Sequence, residues 1–259
     1  MGQLAERNRL RRLQKTLAAP RSAERRYVGA LAGAMRAMHE DAMAWLRPRL
    51  GEVAKGAPAR IDASSTRIGG DFEVEVERLV KVISASIAPH FDAVALAVTR
   101  NNARALRSLG LDVRGELGAM LDHLRDWNIS LMRKAGRAYA ADVAEVLNAP
   151  QNWGLRVEEL AALIQERADV SESRAELIAR DQTSKINSAV SSYRQQSAGI
   201  MSYIWSGSLD ERERETHLAN EGKIFAWASP PLETGHPGDD ICCRCVAVPV
   251  IPGESDDEG

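Results

Sequence analysis

The chain has 259 residues, 27 % of them charged and 44 % hydrophobic, with a formal net charge of -2 at pH 7. That length can bury a core without metal or disulfides to hold it together, and the near-neutral charge excludes a protein that binds nucleic acid with its whole surface. Aromatic residues make up only 5 % while Ala and Arg are plentiful, a mix that favours helices over sheets.

The charge is unevenly spread. Residues 1 to 26 carry Arg7, Arg9, Arg11, Arg12, Lys15, Arg21, Arg25 and Arg26 against Glu6 and Glu24, and residues 253–259 are acidic without a base. The first segment reads as a basic arm, either solvated or in contact with DNA or a partner's acidic surface, with Arg7, Arg9, Arg11, Arg12 and Lys15 as the candidate DNA contacts. No apolar core of signal-peptide length opens the chain, and no run approaches the roughly 18 to 20 apolar residues of a membrane span, so no membrane partner is expected.

Between Arg25 and Leu50, Tyr27, Val28, Leu31, Met35, Met38 and Trp45 recur at helical spacing, and Pro48 is expected to close that helix. Residues 51–70 are rich in Gly, Ala, Pro and Ser without periodicity and read as a loop. A second amphipathic segment carries Phe72, Val76, Leu79, Val80, Ile83 and Ile87 and continues through Phe91, Val94 and Val98, with a break expected at Pro89. A third begins near Arg114, aligns Leu117, Leu121, Leu124, Leu131, Ala135 and Tyr139, and stops before Pro150. Two shorter helices follow, the second opening at Ser173 with Glu176 in a capping-box arrangement. His39, His90 and His123 lie singly in these helices and read as packed or solvated side chains.

After Gly199 the pattern changes to short β-like runs, Tyr203-Ile204-Trp205, residues 223–227 and residues 246–250, separated by turn-rich segments. The expected fold is a mainly α N-terminal region of long amphipathic helices followed by a small α+β C-terminal module with a short antiparallel sheet. Its divisions are a basic arm over 1–26, a helical region over 27–165, the α+β module over 166–252 and an acidic tail over 253–259.

Residues 178–250 concentrate the unusual chemistry. The blocks Ala179-Arg180-Asp181-Gln182-Thr183, Tyr203-Ile204-Trp205, Asp210 with Arg212, Arg214 and His217, Gly222-Lys223, Pro230-Pro231, His236-Pro237-Gly238 and Cys243-Arg244-Cys245 occur in that order. Together they resemble the C-terminal module of the Mu F-type phage head morphogenesis family over about 80 residues, from Glu172 to Ile251. Glu215 stands where that family often has a proline, and Cys242 where a polar residue is common.

The resemblance implies a minor structural protein of a tailed-phage head, located in the virion near the portal or inside the procapsid, and in the host cytoplasm during assembly. It implies portal and capsid proteins as partners and an oligomeric setting, while the charge of the basic arm makes packaged DNA a further expected partner. No enzymatic activity is expected.

The residues themselves allow three local readings. His217, His236, Cys243 and Cys245 supply two imidazoles and two thiolates, a set that suits structural tetrahedral zinc, and an extended segment points Cys243 and Cys245 to one side. The spacing is atypical, with 18 residues between the histidines and a Cys-x-Cys pair tighter than zinc knuckles use. The second reading is a polar network needing no ion, in which His217 and Asp210 bond to Arg212, Arg214 or Arg180 above small buried thiols. The third, a Cys243–Cys245 disulfide, would close a strained ring.

Asp181 and Lys185 stack as an ordinary surface pair, while Arg180 caps the sheet unit; Arg180, Asp181, Asp210, Arg212, Arg214, Pro237 and Arg244 are the structural motif residues. Two further function classes stand beside the head protein. A metal-dependent hydrolase or nuclease would recruit Asp210, His217 and the Cys/His cluster, but no phosphate loop, nucleophile elbow or two-metal carboxylate pattern accompanies them. A DNA-binding accessory protein would act without sequence specificity, since no helix-turn-helix signature is present.

Overall fold

The computed structural model describes residues 2–251 except 55–57, 114, 153–154, 209 and 212; for residues 2–7, 51–54 and 58–69 it describes the backbone alone. Five long helices come first: α1 (Gly2–Leu17), α2 (Arg21–Ala54), α3 (Pro58–Ser108), α4 (Gly118–Asn148) and, after a single 3-10 turn at Pro150–Asn152, α5 (Val157–Ser197). Strand β1 (Ser202–Ser206), the short helix α6 (Glu215–Leu218), β2 (Ile224–Ala226) and β3 (Val246–Pro249) complete the chain. The mainly helical start and small three-stranded antiparallel end agree with the expected fold class.

The helices are longer than local sequence rules indicate. Pro48 lies inside α2 and Pro89 inside α3, so neither ends its helix. A proline deletes one intrahelical hydrogen bond and costs about 3 kcal/mol. Around Pro48, Leu46 and Leu50 are fully buried, and around Pro89, Ile87 and Phe91 are, so continuing the helix keeps apolar area out of water that a break would expose. Residues 58–70, expected as loop, begin α3, and α4 starts at Gly118 rather than near Arg114. Ser173 and Glu176 sit in the interior of α5: the 41 residues of that helix contain neither Gly nor Pro, so nothing forces a second start at Ser173.

The stretch Gly70–Ser108 of α3 is long and apolar enough to cross a membrane by length and composition, which overturns the expectation that no such run exists. The expectation missed it because Ser84, Ser86, His90, Asp92 and Thr99 break up the apolar residues over 82–99. One such helix also marks the core of an ordinary globular protein and assigns no membrane insertion.

The chain forms two compact units. One comprises Arg26–Phe91 and Arg125–Ala179; the other comprises Met1–Arg25, Asp92–Leu124 and Arg180–Gly259. In the first unit Tyr27, Leu31, Met38, Phe72, Val76, Tyr139, Val143 and Ile164 are all buried. Phe72 packs between Trp45 and Tyr139, with ring centroids 6.1 and 6.2 Å away. Neighbouring helices approach closely where Gly136 faces Val80, because any Cβ there would overlap the valine.

In the second unit the strands run in the order β2-β1-β3, with Tyr203 opposite Phe225 and Ile204 opposite Val248. The period of two along each strand sorts side chains to two faces, and both faces are covered. On one, Tyr203, Trp205, Trp227, Cys243, Cys245 and Ala247 cluster. On the other, Val246, Val248 and Ile204 pack against Leu13 and Leu17 of α1 and Ala105 of α3. The residues read as a basic arm therefore form an ordered helix that closes one face of the sheet, while Arg9, Arg11, Arg12 and Lys15 lie on its exposed side. The side chain of Arg7 and all of Arg212 and 253–259 lie outside the described residues.

Candidate functional site

The chemistry-bearing residues gather on the sheet face that α1 does not cover. His217 comes from α6, whose backbone bonds back to Arg214 at 3.0 Å. Cys243 and Cys245 come from the extended segment leading into β3, and both point to the same side, in line with Ala247. His217 Nδ1 lies 3.6 Å from Cys243 Sγ and 3.4 Å from Cys245 Sγ. All three side chains are buried, at 2, 4 and 6 % exposure, with their ligand atoms within 4.8 Å of one another.

Several contacts set the orientation of this triangle. Asp240 Oδ2 lies 2.8 Å from His217 Nε2, which leaves Nδ1 for the sulfurs. The indole of Trp205 meets the imidazole edge-on with centroids 5.5 Å apart. The N–H of Gly238 donates to Cys243 Sγ at 3.3 Å, and Glu213 Oε1 lies 3.4 Å from Cys245 Sγ. The Cys245 thiol bonds to Cys243 and holds the Cys243 thiol below the ordinary range, while Cys245 itself is pushed up; one member of the pair is thus favoured as thiolate. All three cysteines are free.

His236 does not join the triangle. Its Nδ1 is bonded to the Tyr203 hydroxyl at 2.9 Å, its ring also bonds the backbone of Trp227, and it packs on the Trp227 indole at 4.9 Å. Burial holds its pKa below the ordinary value. The turn that carries His236 is instead used for its next residues: Pro237 is buried, and Gly238, at φ 98°, passes so near α5 that a Cβ would lie 2.7 Å from Ser188 Cβ. The motif His236-Pro237-Gly238 therefore seats a loop against α5 and presents an N–H to Cys243.

The polar network also differs from the one expected. The partner of His217 is Asp240, and Asp210 pairs with Arg244 through two contacts of 2.7 Å. Arg214 donates to the Ile241 carbonyl at 2.9 Å and lies 3.8 Å from Asp240. Arg180 is exposed on α5. Asp181 and Lys185 are 2.6 Å apart but mostly buried, and Asp181 also accepts from the backbone N–H of Cys242 at 3.1 Å. This contact ties α5 to the Cys-x-Cys turn, where Cys242 adopts a left-handed φ of 54°.

Sequence reasoning missed Asp240, Glu213 and a buried polar stripe on α5. Thr183, Asn187, Ser191 and Gln195 recur every four residues and are all buried. Ser191 accepts from Asn102 at 2.7 Å, and Gln195 donates to the Ala247 carbonyl at 2.8 Å. The four-residue period was visible, since a polar row with helical spacing beside Ile186 and Val190 marks a face that meets backbone rather than solvent.

Comparison with known proteins now bears on this arrangement. Residues 141–248 match the family model described as Phage Mu protein F like protein. Over this segment the chain is similar to that family. The match begins at residue 141, within α4 and ahead of the Glu172 suggested by motifs, so it takes in the end of α4 and all of α5. A protein of Haemophilus influenzae (strain ATCC 51907 / DSM 11121 / KW20 / Rd), described as an uncharacterized protein, is 43 % identical over 124 residues. That alignment covers 48 % of this chain but 28 % of the relative, so the chain spans less than a third of the protein it matches. No solved structure matches.

A second feature of the same compact unit is electrostatic. Arg100, Arg104 and Arg107, spaced along one side of α3, line an open cavity of about 510 Å³ together with Arg194 of α5. The three α3 arginines are exposed.

Proposed function

We propose that this chain is a minor structural protein of a tailed-phage head, associated with the portal or the procapsid interior and acting in head morphogenesis and in DNA packaging or passage. The observation that carries the reading is the match to the Phage Mu protein F like family over residues 141–248. The elements are long helices and a small sheet covered on both faces, with the buried Gln195 of α5 bonded to the β3 backbone. In this reading the chain has no catalytic role, its partners are portal and capsid proteins, and it resides in the virion after assembly in the host cytoplasm.

The test is an in-frame deletion in the phage or prophage that encodes the chain, with purified heads analysed by mass spectrometry. The reading expects the protein in wild-type heads at low copy, bound to the portal after mild disruption, and defective or empty heads on deletion. Normal infectious particles lacking the protein would sink it.

Contact with DNA is favoured by two sets of cations in one unit: Arg9, Arg11, Arg12 and Lys15 on α1, and the arginine-lined cavity of α3 and α5. Such binding is sequence-independent and falls steeply with salt because each neutralised phosphate releases counterions. Duplex DNA binding by the full chain that does not weaken between low and physiological salt would exclude this role.

A further inference from the structure

We propose that His217 Nδ1, Cys243 Sγ and Cys245 Sγ bind a structural zinc ion, with the Glu213 carboxylate as fourth ligand and Asp240 as the group that orients His217. This inference stands independently of the head-protein reading, since it rests on the geometry of one buried cluster.

Tetrahedral zinc, with Zn–S of about 2.3 Å and Zn–N of about 2.0 Å, sets neighbouring nitrogen and sulfur ligands about 3.6 Å apart. The two observed nitrogen–sulfur separations are 3.6 and 3.4 Å. A single S–H···N hydrogen bond would account for one of these contacts, whereas two sulfurs converging on the same ring nitrogen is the arrangement of three ligands about one ion. Thiolate and imidazole donors in a tetrahedral arrangement suit zinc.

The surroundings are those of a metal site too. A zinc-bound histidine ordinarily gives its other ring nitrogen to a carboxylate, which fixes the tautomer; here Asp240 accepts from Nε2 at 2.8 Å. A backbone N–H directed at a sulfur stabilises thiolate, and Gly238 supplies one to Cys243.

The fourth position is assigned to Glu213, whose Oε1 lies 3.4 Å from Cys245 Sγ but outside the group of ligand atoms within 4.8 Å of one another, so its side chain would turn inward when the ion binds. Gly207 leaves the space this carboxylate occupies: a Cβ at Gly207 would overlap it. His236, the sequence candidate, is committed to Tyr203 and Trp227. Four protein ligands close the shell, so the ion is a staple rather than a generator of hydroxide. It would join α6, the turn holding Glu213 and the segment entering β3, three pieces with little secondary structure of their own.

The experiment uses the full chain, reduced, without a polyhistidine tag and stripped by chelator, titrated with Co²⁺ and then displaced by Zn²⁺. One equivalent of Co²⁺ is expected, with the intense visible bands of a tetrahedral site and thiolate charge-transfer absorption, both bleached by Zn²⁺. Cys243→Ser, Cys245→Ser and His217→Gln each lose stoichiometric binding, whereas His236→Gln and Cys242→Ser keep it. Glu213→Gln shifts the visible bands and weakens Zn²⁺ binding by more than about tenfold. No saturable Co²⁺ or Zn²⁺ binding by the folded wild-type chain overturns the site, whatever the variants do. Loss of binding in His236→Gln equal to that in His217→Gln overturns the ligand set, and an unchanged spectrum in Glu213→Gln overturns the fourth ligand.

Discussion

Asp240 Oδ2 sits 2.8 Å from His217 Nε2, and this contact decides which ring nitrogen faces the sulfurs of Cys243 and Cys245. Asp240 lies in the loop between Gly238 and the Cys-x-Cys pair, so the group that orients the histidine and the thiols it meets come from one short segment. Removing it by Asp240→Ala leaves the imidazole free to turn and to change tautomer. Zn²⁺ affinity should fall by about 10- to 100-fold while the stoichiometry stays at one, the usual effect of losing such a partner. Competition with a chromophoric chelator measures this, and an affinity equal to wild type would mean the carboxylate does not position the ring.

Helix α1 is a structural part of its unit. Leu17 is 1 % exposed and packs with Leu13 on Val246 and Val248. Leu17→Ala should therefore destabilise by about 2–5 kcal/mol, the range for emptying a leucine site in a core. Urea unfolding followed by circular dichroism gives the value, and limited proteolysis should cut first within α1 in the variant. A loss under 1 kcal/mol would return α1 to the status of a solvated arm.

The legibility of the fold divides along physical lines. The strands were readable because Tyr203, Trp205, Phe225 and Val248 alternate within short runs bounded by turns. The pairing of Cys243 with Cys245 followed from the same period. Helix ends at Pro48, Pro89 and Ser173 were misread because proline and capping rules are local, and burial of Leu46, Leu50, Ile87 and Phe91 outweighs them. His236 entered the candidate ligand set because histidines are rare, whereas Asp240 and Glu213 stayed hidden among 36 acidic residues. Only the fold of the loop through Gly238 separates the two histidines.

Asp181 explains why an acid belongs at that point of α5. It accepts from Lys185 and from the N–H of Cys242, which has a backbone conformation that side chains other than glycine disfavour. Asp181→Ala removes a charged acceptor from a mostly buried turn and should cost about 1–3 kcal/mol. Cys242→Gly keeps the same N–H donor and relieves the left-handed strain, so stability should hold or rise by up to about 1 kcal/mol. Paired urea melts check both signs; equal losses in the two variants would show that the Cys242 side chain, not its backbone, matters.

His39 supplies a pH dependence in the other unit. Its Nδ1 is 2.7 Å from the Tyr139 hydroxyl and its Nε2 2.9 Å from Gln165 Oε1. Burial lowers its pKa, outweighing the Gln165 hydrogen bond and the nearby Asp169 and Glu40, which raise it; Arg47 lowers it further. A histidine with a folded pKa below its unfolded value of about 6.5 binds fewer protons folded than unfolded. Its contribution is therefore fully present above about pH 6.5 and is lost as pH falls through the lowered folded pKa. Wild-type stability should drop between pH 7 and pH 5 by more than that of His39→Gln, which keeps polar contacts but cannot titrate. Urea midpoints at the two pH values give the difference. Equal drops in the two proteins would show that His39 takes up its proton as readily folded as unfolded, and that the imidazole is not held neutral by its packing.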